Sequence, residues 1–128
     1  MKVNIDQFNK RTEDDICEVE VTSKDCWYLD YILAQVIHAA LVKFRADLYS
    51  YSMVDDEDLP PNFSEDSEED SENRWKYVLD EMIWGFEEIK TCGENEPMAY
   101  RSKEWADYNK RIANSTRLFG KYFQSLWN

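Results

Sequence analysis

One face of a predicted helix carries two aromatic residues among acids, a combination that could recognise a partner. Tyr77 and Trp84 are seven residues apart, which places them on the same side of a helix and opposite its apolar stripe. The flanking acids are Asp80, Glu81, Glu87 and Glu88. Because tryptophan is enriched at binding hot spots, this face predicts a surface for a partner or for self-association. Two alternatives stay open: another element of the chain covers the face, or the face binds a small molecule.

The acids of this region could also bind a metal if several of them converged. Carboxylates are ligands that Mg²⁺ prefers, and the candidates are Glu68, Glu69, Glu72, Asp80, Glu81, Glu87 and Glu88. The segments EEDSE at 68–72 and EWAD at 104–107 are loosely similar to the carboxylate pattern of all-α nucleotide pyrophosphatases. In a chain with 27 acids such a match arises easily. We therefore expect no metal ligand and no cofactor, with a Mg²⁺-dependent nucleotide hydrolase as an alternative.

A basic stripe runs along the predicted third helix. Its members lie within about 40° of one another, opposite the apolar face, and they are Lys103, Lys110, Arg117 and Lys121. A solvated face is one interpretation, since basic residues also suit the C-terminal end of a helix. The other is an anion site, for the acidic loop of the same or a neighbouring molecule or for a phosphate-bearing nucleotide. The candidate ligands for that nucleotide are Arg74, Arg111, Arg117 and Lys121.

Residues for nucleophilic catalysis are scarce. His38 is the only histidine, and the three cysteines, Cys17, Cys26 and Cys92, have no histidine beside them in sequence. The sequence contains no glycine-rich phosphate loop, no G-x-S-x-G motif and no zinc signature. We therefore expect no catalytic residues and favour a non-enzymatic protein. Few cysteines, odd in number, are also typical of a reducing cytoplasm.

Charge is distributed unevenly along the chain. The net charge is −12, from 27 acidic and 15 basic side chains. Residues 55–72 carry ten acids and no base, whereas residues 101–128 carry six bases and two acids. Such a chain is repelled by nucleic acid and by anionic membranes, so direct binding to either is disfavoured. A protein partner with a basic surface is the physically easier expectation.

The elements that must position these residues follow from hydrophobic periodicity. Alternation over residues 2–8 and 16–22 predicts two short strands, which should pack on helices because two strands alone are only marginally stable. Apolar residues at three- and four-residue steps predict helices over residues 25–49, 72–90 and 98–127. The first helix has a broad apolar arc, which predicts that it is the most buried of the three.

The expected fold is mainly α, an α-rich α+β class with a single domain over residues 1–128. A β-hairpin or strand pair precedes three helices, and an acidic, mobile loop over residues 55–72 joins helices 1 and 2. The first part of this loop, VDDEDLPP, has apolar Val54 and Leu59 beside the acids, so we expect part of this segment to be fixed in place. No stretch approaches 18 apolar residues, and no apolar core of a secretory signal occurs, so neither a membrane span nor a signal is expected.

Four blocks of the sequence resemble a family of small tailed-bacteriophage proteins to which no activity is assigned. The blocks are CWYLDYILAQVIHAALVKF (26–44), VDDEDLP (54–60), RWKYVLDEMIWGFEEI (74–89) and RIANSTRLFGKYFQSLW (111–127). They occur in the family's order over roughly half of the chain, and RW-x-YVLDEMIW and RLFGKY are the most specific. The chain departs from the family at Ala39, where members often have proline after the histidine. It also has the extra segment NKRTEDDICEVEV.

The resemblance implies a phage origin and action in the cytoplasm of an infected bacterium. It transfers no catalytic residue to this chain. Together with the charge, it predicts a stoichiometric interaction protein that inhibits a host factor, such as a defence system, or serves as a phage accessory, with self-association as an alternative. The expected contact residues are Tyr77, Trp84, Asp80, Glu81, Glu88, Asp55, Asp56 and Asp58.

Overall fold

Three helices and a two-stranded antiparallel ribbon form the described part of the protein, as the sequence predicts. The computed structural model describes residues 1–5, 17–61, 63 and 68–128. Strands β1 (Lys2–Ile5) and β2 (Cys17–Glu20) precede helices α1 (Leu29–Ala46), α2 (Glu68–Lys90) and α3 (Lys103–Tyr122). Short 3₁₀ turns form at Asp25–Tyr28, Asp56–Asp58 and Phe123–Ser125. Among the described helices, none is long and apolar enough to cross a membrane.

Helix α2 is the centre of the bundle. It packs against α1 on one side and α3 on the other, and both flanking helices run antiparallel to it, since later residues of each contact earlier residues of α2. The largest fully buried side chains of α2 are Trp75, Val78, Leu79 and Met82. The prediction that α1 is the most buried helix is wrong, because α1 contacts a neighbour along one face only and its other apolar residues face solvent.

Gly85 allows α2 and α3 to approach closely. A Cβ atom placed on Gly85 would lie 2.2 Å from the Cβ atom of Ser115 on α3. Ser115 is itself fully buried, and its hydroxyl donates to the backbone carbonyl of Arg111 at 2.9 Å. A glycine facing a serine therefore sets the distance between these two helices.

The helix ends follow from local capping. Ser102 caps α3 by accepting the backbone N–H of Trp105 at 3.2 Å, so this helix begins five residues later than predicted. At the end of α2, Cys92 takes a left-handed conformation (φ 56°), and the N–H of Gly93 donates to the carbonyl of Glu88 at 3.0 Å. This is a Schellman motif, with cysteine at the position where glycine is usual.

The acidic segment between α1 and α2 has regular structure at both ends. Residues 56–58 form a 3₁₀ turn, in agreement with the expectation for VDDEDLPP, whereas α2 begins at Glu68, four residues before the predicted start. Residues 62 and 64–67 of the predicted mobile loop lie outside the described residues.

The N-terminal ribbon packs little on the helices in the part of the chain that the structure describes. Val3 pairs with Val19, and their side chains are 40% and 50% exposed, contrary to the expectation that the strands bury an apolar face. The ammonium group of Met1 contacts Asp25 at 2.9 Å and ties the ribbon to the turn before α1. The predicted strand ends within 6–16 lie outside the described residues.

Candidate functional site

The acidic turn, residues 55–58, is fastened to α3 through one buried carboxylate. The side chain of Asp58 is 1% exposed and accepts three hydrogen bonds. The donors are the Tyr122 hydroxyl at 2.6 Å, the Lys121 ammonium at 2.6 Å and the Arg117 guanidinium at 2.7 Å. Burial alone would raise the pKa of Asp58, but these bonds outweigh it and lower the pKa to about 2.

The other residues of the acidic turn also have partners within the chain. Lys121 contacts Asp55 at 2.8 Å and Glu57 at 3.0 Å, and these carboxylates raise the pKa of its ammonium group. Arg74 pairs with Asp56 and donates to the backbone carbonyl of residue 54 at 2.8 Å. Two of the four residues of the basic stripe, Arg117 and Lys121, therefore receive the acidic turn of the same molecule, one of the arrangements that the sequence left open. No contact of Lys103 or Lys110 with the acidic turn is seen among the described residues.

The acidic turn has the spacing of a metal site, but a lysine lies at its centre. One oxygen from each of Asp55, Glu57 and Asp58 lies within 4.8 Å of the others. The Lys121 ammonium contacts all three residues at 2.6–3.0 Å, so the three carboxylates already share a cation. A divalent ion would have to displace that ammonium group.

The four cations predicted to hold a nucleotide all donate to carboxylates of the chain. Arg74, Arg117 and Lys121 bind the acidic turn, and Arg111 binds Glu81 through two bonds of 3.1 and 2.8 Å. An incoming phosphate would compete with these pairs. The geometry therefore supports an internal ion-pair network better than a phosphate site.

Helix α3 covers the aromatic face of α2. The guanidinium of Arg111 lies 3.8 Å from the ring centroid of Trp84, and the ring of Tyr108 packs edge-on at 5.8 Å. Tyr77 contacts Phe63 at 5.4 Å. Of the alternatives for this face, the structure therefore shows the one in which another element packs on it, and neither aromatic residue is exposed.

The predicted contact acids have very different environments. Asp55, Asp56 and Asp80 are exposed, and Asp80 pairs with Arg45 at 3.0 Å. Glu88 is buried and accepts hydrogen bonds from Asn95 at 3.1 Å and Tyr108 at 3.0 Å. The structure therefore does not bring the eight predicted contact residues together on one open surface.

His38 belongs to a small charged network between α1 and α2. Its Nε2 atom contacts Glu87 at 2.9 Å, and Lys90 contacts the same carboxylate at 2.9 Å. Burial and the neighbouring Lys90 lower the pKa of His38, against the opposing effect of Glu87. This arrangement links two helices and offers no activated nucleophile among its members.

An apolar groove, which was not predicted from the sequence, lies between α1 and the end of α3. Its volume is about 370 Å³, and its lining consists of Val36, Ile37, Ala40, Leu41, Phe44, Phe119, Phe123 and Leu126. Phe123 is 59% exposed and Val36 is 41% exposed. The available signal was the apolar arc of the first helix, which is wider than one neighbouring helix can cover.

Comparison with known proteins assigns no family. The sequence matches no protein-family model, no curated protein and no solved structure at a significant level. The resemblance to small tailed-bacteriophage proteins therefore stays a prediction, and the function has to be argued from the site itself.

Proposed function

We propose that this protein acts by stoichiometric binding to a partner protein, with the apolar groove as its contact surface. The observation that supports this proposal is the composition of the groove. Eight uncharged side chains line it, in a chain of which 33% is charged. Contiguous exposed apolar surface of this kind is typical of interaction sites, because leaving it in water is unfavourable. Phe123 and Phe119 supply the large rings that carry binding energy at such sites.

The charge of the whole molecule favours a basic partner over a second copy. Each molecule carries a net charge of −12, so two copies repel each other on approach. A partner with an apolar segment flanked by lysine or arginine gains both groove burial and electrostatic attraction. The exposed acids Asp55, Asp56 and Asp80 would then speed encounter, and the groove would hold the partner.

The proposed setting is an infected bacterium. The four blocks that resemble tailed-bacteriophage proteins support a phage origin, and a small acidic protein with an apolar contact surface suits stoichiometric inhibition of a host factor. Catalysis is less well supported, because the clustered carboxylates of the acidic turn are already paired with Arg117 and Lys121 of the basic stripe.

The test compares partner capture by three forms of the tagged full chain in bacterial lysate. Phe123→Ser removes the most exposed ring of the groove. Trp27→Ser is the control, because Trp27 is 74% exposed and lies outside the groove. We expect the wild-type and Trp27→Ser proteins to retain the same basic protein. Phe123→Ser should bind that purified protein at least about ten-fold more weakly in calorimetry, as loss of a hot-spot aromatic does.

Two results would contradict the proposal. Equal affinity of all three forms would show that the groove is not the contact surface. Self-association of the wild type at neutral pH that Phe123→Ser abolishes would replace the basic partner with a second copy. Circular dichroism of each variant shows whether the fold is intact, and activity of the captured partner with and without the protein tests inhibition.

A further inference from the structure

A second cavity, which we call the tyrosine cavity, lies at the other end of the bundle from the acidic turn. It opens where α1 begins, α2 ends and α3 begins, and its volume is about 440 Å³. Tyr28, Tyr31 and Tyr108 contribute rings to its wall, and Ile89 and Ile112 contribute aliphatic surface. The cavity shares no lining residue with the apolar groove.

The charge of the tyrosine cavity has one sign. Three carboxylates line it, from Asp30, Glu88 and Glu96, and no lysine, arginine or histidine does so within the described ranges. Other acids of α2 have basic partners: Asp80 pairs with Arg45 and Glu81 pairs with Arg111. In the part of the chain that the structure describes, none of the three cavity carboxylates forms an ion pair with a basic group.

Glu88 is the exceptional member of this set. Asp58 and Glu88 are the two buried charged residues of the described chain, with exposures of 7% and 6%. Asp58 contacts two cations, whereas the donors to Glu88 are the neutral groups of Asn95 and Tyr108. Burying a carboxylate costs free energy unless a positive charge compensates it. A cationic ligand beside Glu88 would supply that compensating charge.

One basic residue of the described chain, Arg111, lies near Glu88 but is already engaged. Its guanidinium donates two hydrogen bonds to Glu81 and stacks on Trp84; the bonds to Glu81 raise the pKa of Arg111 most, and Glu88 adds a smaller effect in the same direction. Burial and the bond to Glu88 raise the pKa of Tyr108 to about 12, which agrees with a negative potential in the cavity. Among the described residues, no basic group therefore compensates the charge of Glu88 at the cavity itself.

The aromatic wall selects the kind of cation. A hydrated Mg²⁺ ion takes oxygen ligands in a tight shell and gains little from tyrosine faces or isoleucine side chains. An alkylammonium or guanidinium group gains from both, through cation–π attraction and through burial of its methylene groups. Trp105 donates to Glu96 at 2.8 Å and holds this carboxylate in place beside the cavity.

We propose that the tyrosine cavity binds an organic cation, a guanidinium or alkylammonium group. Glu88 supplies the buried counter-charge, Glu96 and Asp30 supply further carboxylates, and the tyrosine rings pack against the cation and its carbon chain. The group could belong to a free polyamine or to an arginine or lysine side chain of another protein. The proposal is independent of the apolar groove and of its partner.

The test is titration of the purified full chain with two probes, followed through the indole N–H resonance of Trp105. The probes are spermidine and a short peptide with one arginine, and the matched control peptide has citrulline, which is neutral, at that position. We expect saturable binding of at least one cationic probe and none of the citrulline peptide. Binding of spermidine alone identifies a free cation, and binding of the arginine peptide alone identifies a protein side chain.

Variants separate the cavity from general surface charge. Glu96→Gln keeps an acceptor for Trp105 but removes the charge, and Glu104→Gln removes one exposed charge of α3 outside the cavity. We expect Glu96→Gln to weaken binding about ten-fold and Glu104→Gln to leave it unchanged. Tyr31→Leu, which retains apolar bulk without the ring face, should also weaken it. Glu88→Gln should abolish binding. If the Glu88→Gln protein does not fold, Glu96→Gln and Tyr31→Leu still test the cavity.

Three outcomes would overturn the proposal. The first is the absence of saturable binding by either cationic probe. The second is binding of the citrulline peptide as tightly as the arginine peptide. The third is equal loss in Glu96→Gln and Glu104→Gln, which would show that net surface charge attracts the probes. None of these results bears on binding at the apolar groove, because Phe123 is untouched.

Discussion

The two buried carboxylates of the described chain, Asp58 and Glu88, have opposite electrostatic surroundings. Asp58 has two cations and a tyrosine hydroxyl around it, and its charge is fully compensated. Glu88 has only neutral donors among the described residues. The first arrangement fastens a loop to a helix, and the second leaves a negative cavity.

The contribution of Asp58 to stability should depend on pH in a defined window. Its pKa falls from 3.8 to about 2 in the folded protein, so its stabilising effect is complete above about pH 4 and is lost as the pH falls toward 2. The shift corresponds to about 2 kcal/mol of unfolding free energy. Asp58→Asn should lower the free energy of unfolding at neutral pH by about 2–3 kcal/mol and flatten the acid dependence in this window.

Urea denaturation at several pH values measures both effects. Asp80→Asn is the matched control, because Asp80 is exposed and forms a surface pair with Arg45 that contributes less than about 1 kcal/mol. An Asp58→Asn protein that loses stability between pH 4 and 2 as steeply as the wild type would show that another acid carries the effect.

The sequence identified Asp58 as a functional candidate but not its role. Its partners are 59–64 residues away along the chain, and no local pattern connects them. The same limit applies to Trp84 and Arg111, since helical periodicity gives the direction of a side chain but not the element that it meets.

At the scale of elements, α2 is exceptional because it is covered on two sides. Its apolar stripe faces the core, and its aromatic back face lies under α3. The absence of a side chain at Gly85 is part of the reason, since it permits close approach to Ser115. Among the described residues, helix α1 packs extensively against α2 alone, and its uncovered apolar side forms one wall of the apolar groove.

Two glycine substitutions should have opposite effects on stability. Gly85→Ala places a Cβ atom 2.2 Å from that of Ser115 and should destabilise the fold by about 1–3 kcal/mol. Gly120→Ala, at an exposed helical position with nothing within 4 Å, should stabilise it by up to about 1 kcal/mol. Thermal and chemical denaturation of both variants measure the two effects.

A second substitution tests whether the loss of stability in Gly85→Ala comes from its contact with Ser115. Ser115→Gly removes the atom that the new Cβ would meet, so adding it to Gly85→Ala should restore part of the lost stability. If the double variant is no more stable than Gly85→Ala alone, the helix contact is not the origin of the loss.

At the scale of the whole molecule, net charge and the apolar groove act against each other. The groove favours association, whereas a net charge of −12 opposes contact between two copies. The net charge falls to zero near the isoelectric point of about 4.4. The carboxylate of Asp58 stays ionised at that pH and keeps its hydrogen bonds, because its pKa is about 2.

The protein should therefore be monomeric at neutral pH and should self-associate near pH 4.4 while still folded. Analytical ultracentrifugation at the two pH values measures the state, and circular dichroism checks the fold. Phe123→Ser should suppress the association, and Trp27→Ser, which alters an exposed ring outside the groove, should not. A stable dimer at neutral pH would contradict this balance of forces.

The sequence by itself determined the helical class, the order of the elements and the pairing of two short strands. These features depend on local periodicity and capping, which neighbouring residues encode. It also placed the acidic segment before α2 and the basic stripe on α3. Predicted helix ends differed by a few residues where a cap such as Ser102 decided them.

Only the tertiary structure decided which charges neutralise each other and which surfaces stay open. In the part of the chain that the structure describes, the acidic turn meets Arg117 and Lys121, α3 covers Trp84, and α1 keeps an uncovered apolar face. Each of these outcomes depends on which helix lies beside which, and three amphipathic helices can pack in more than one order with similar burial. The role of an acid in this protein follows from its neighbours in space, and Asp58 and Glu88 differ for that reason.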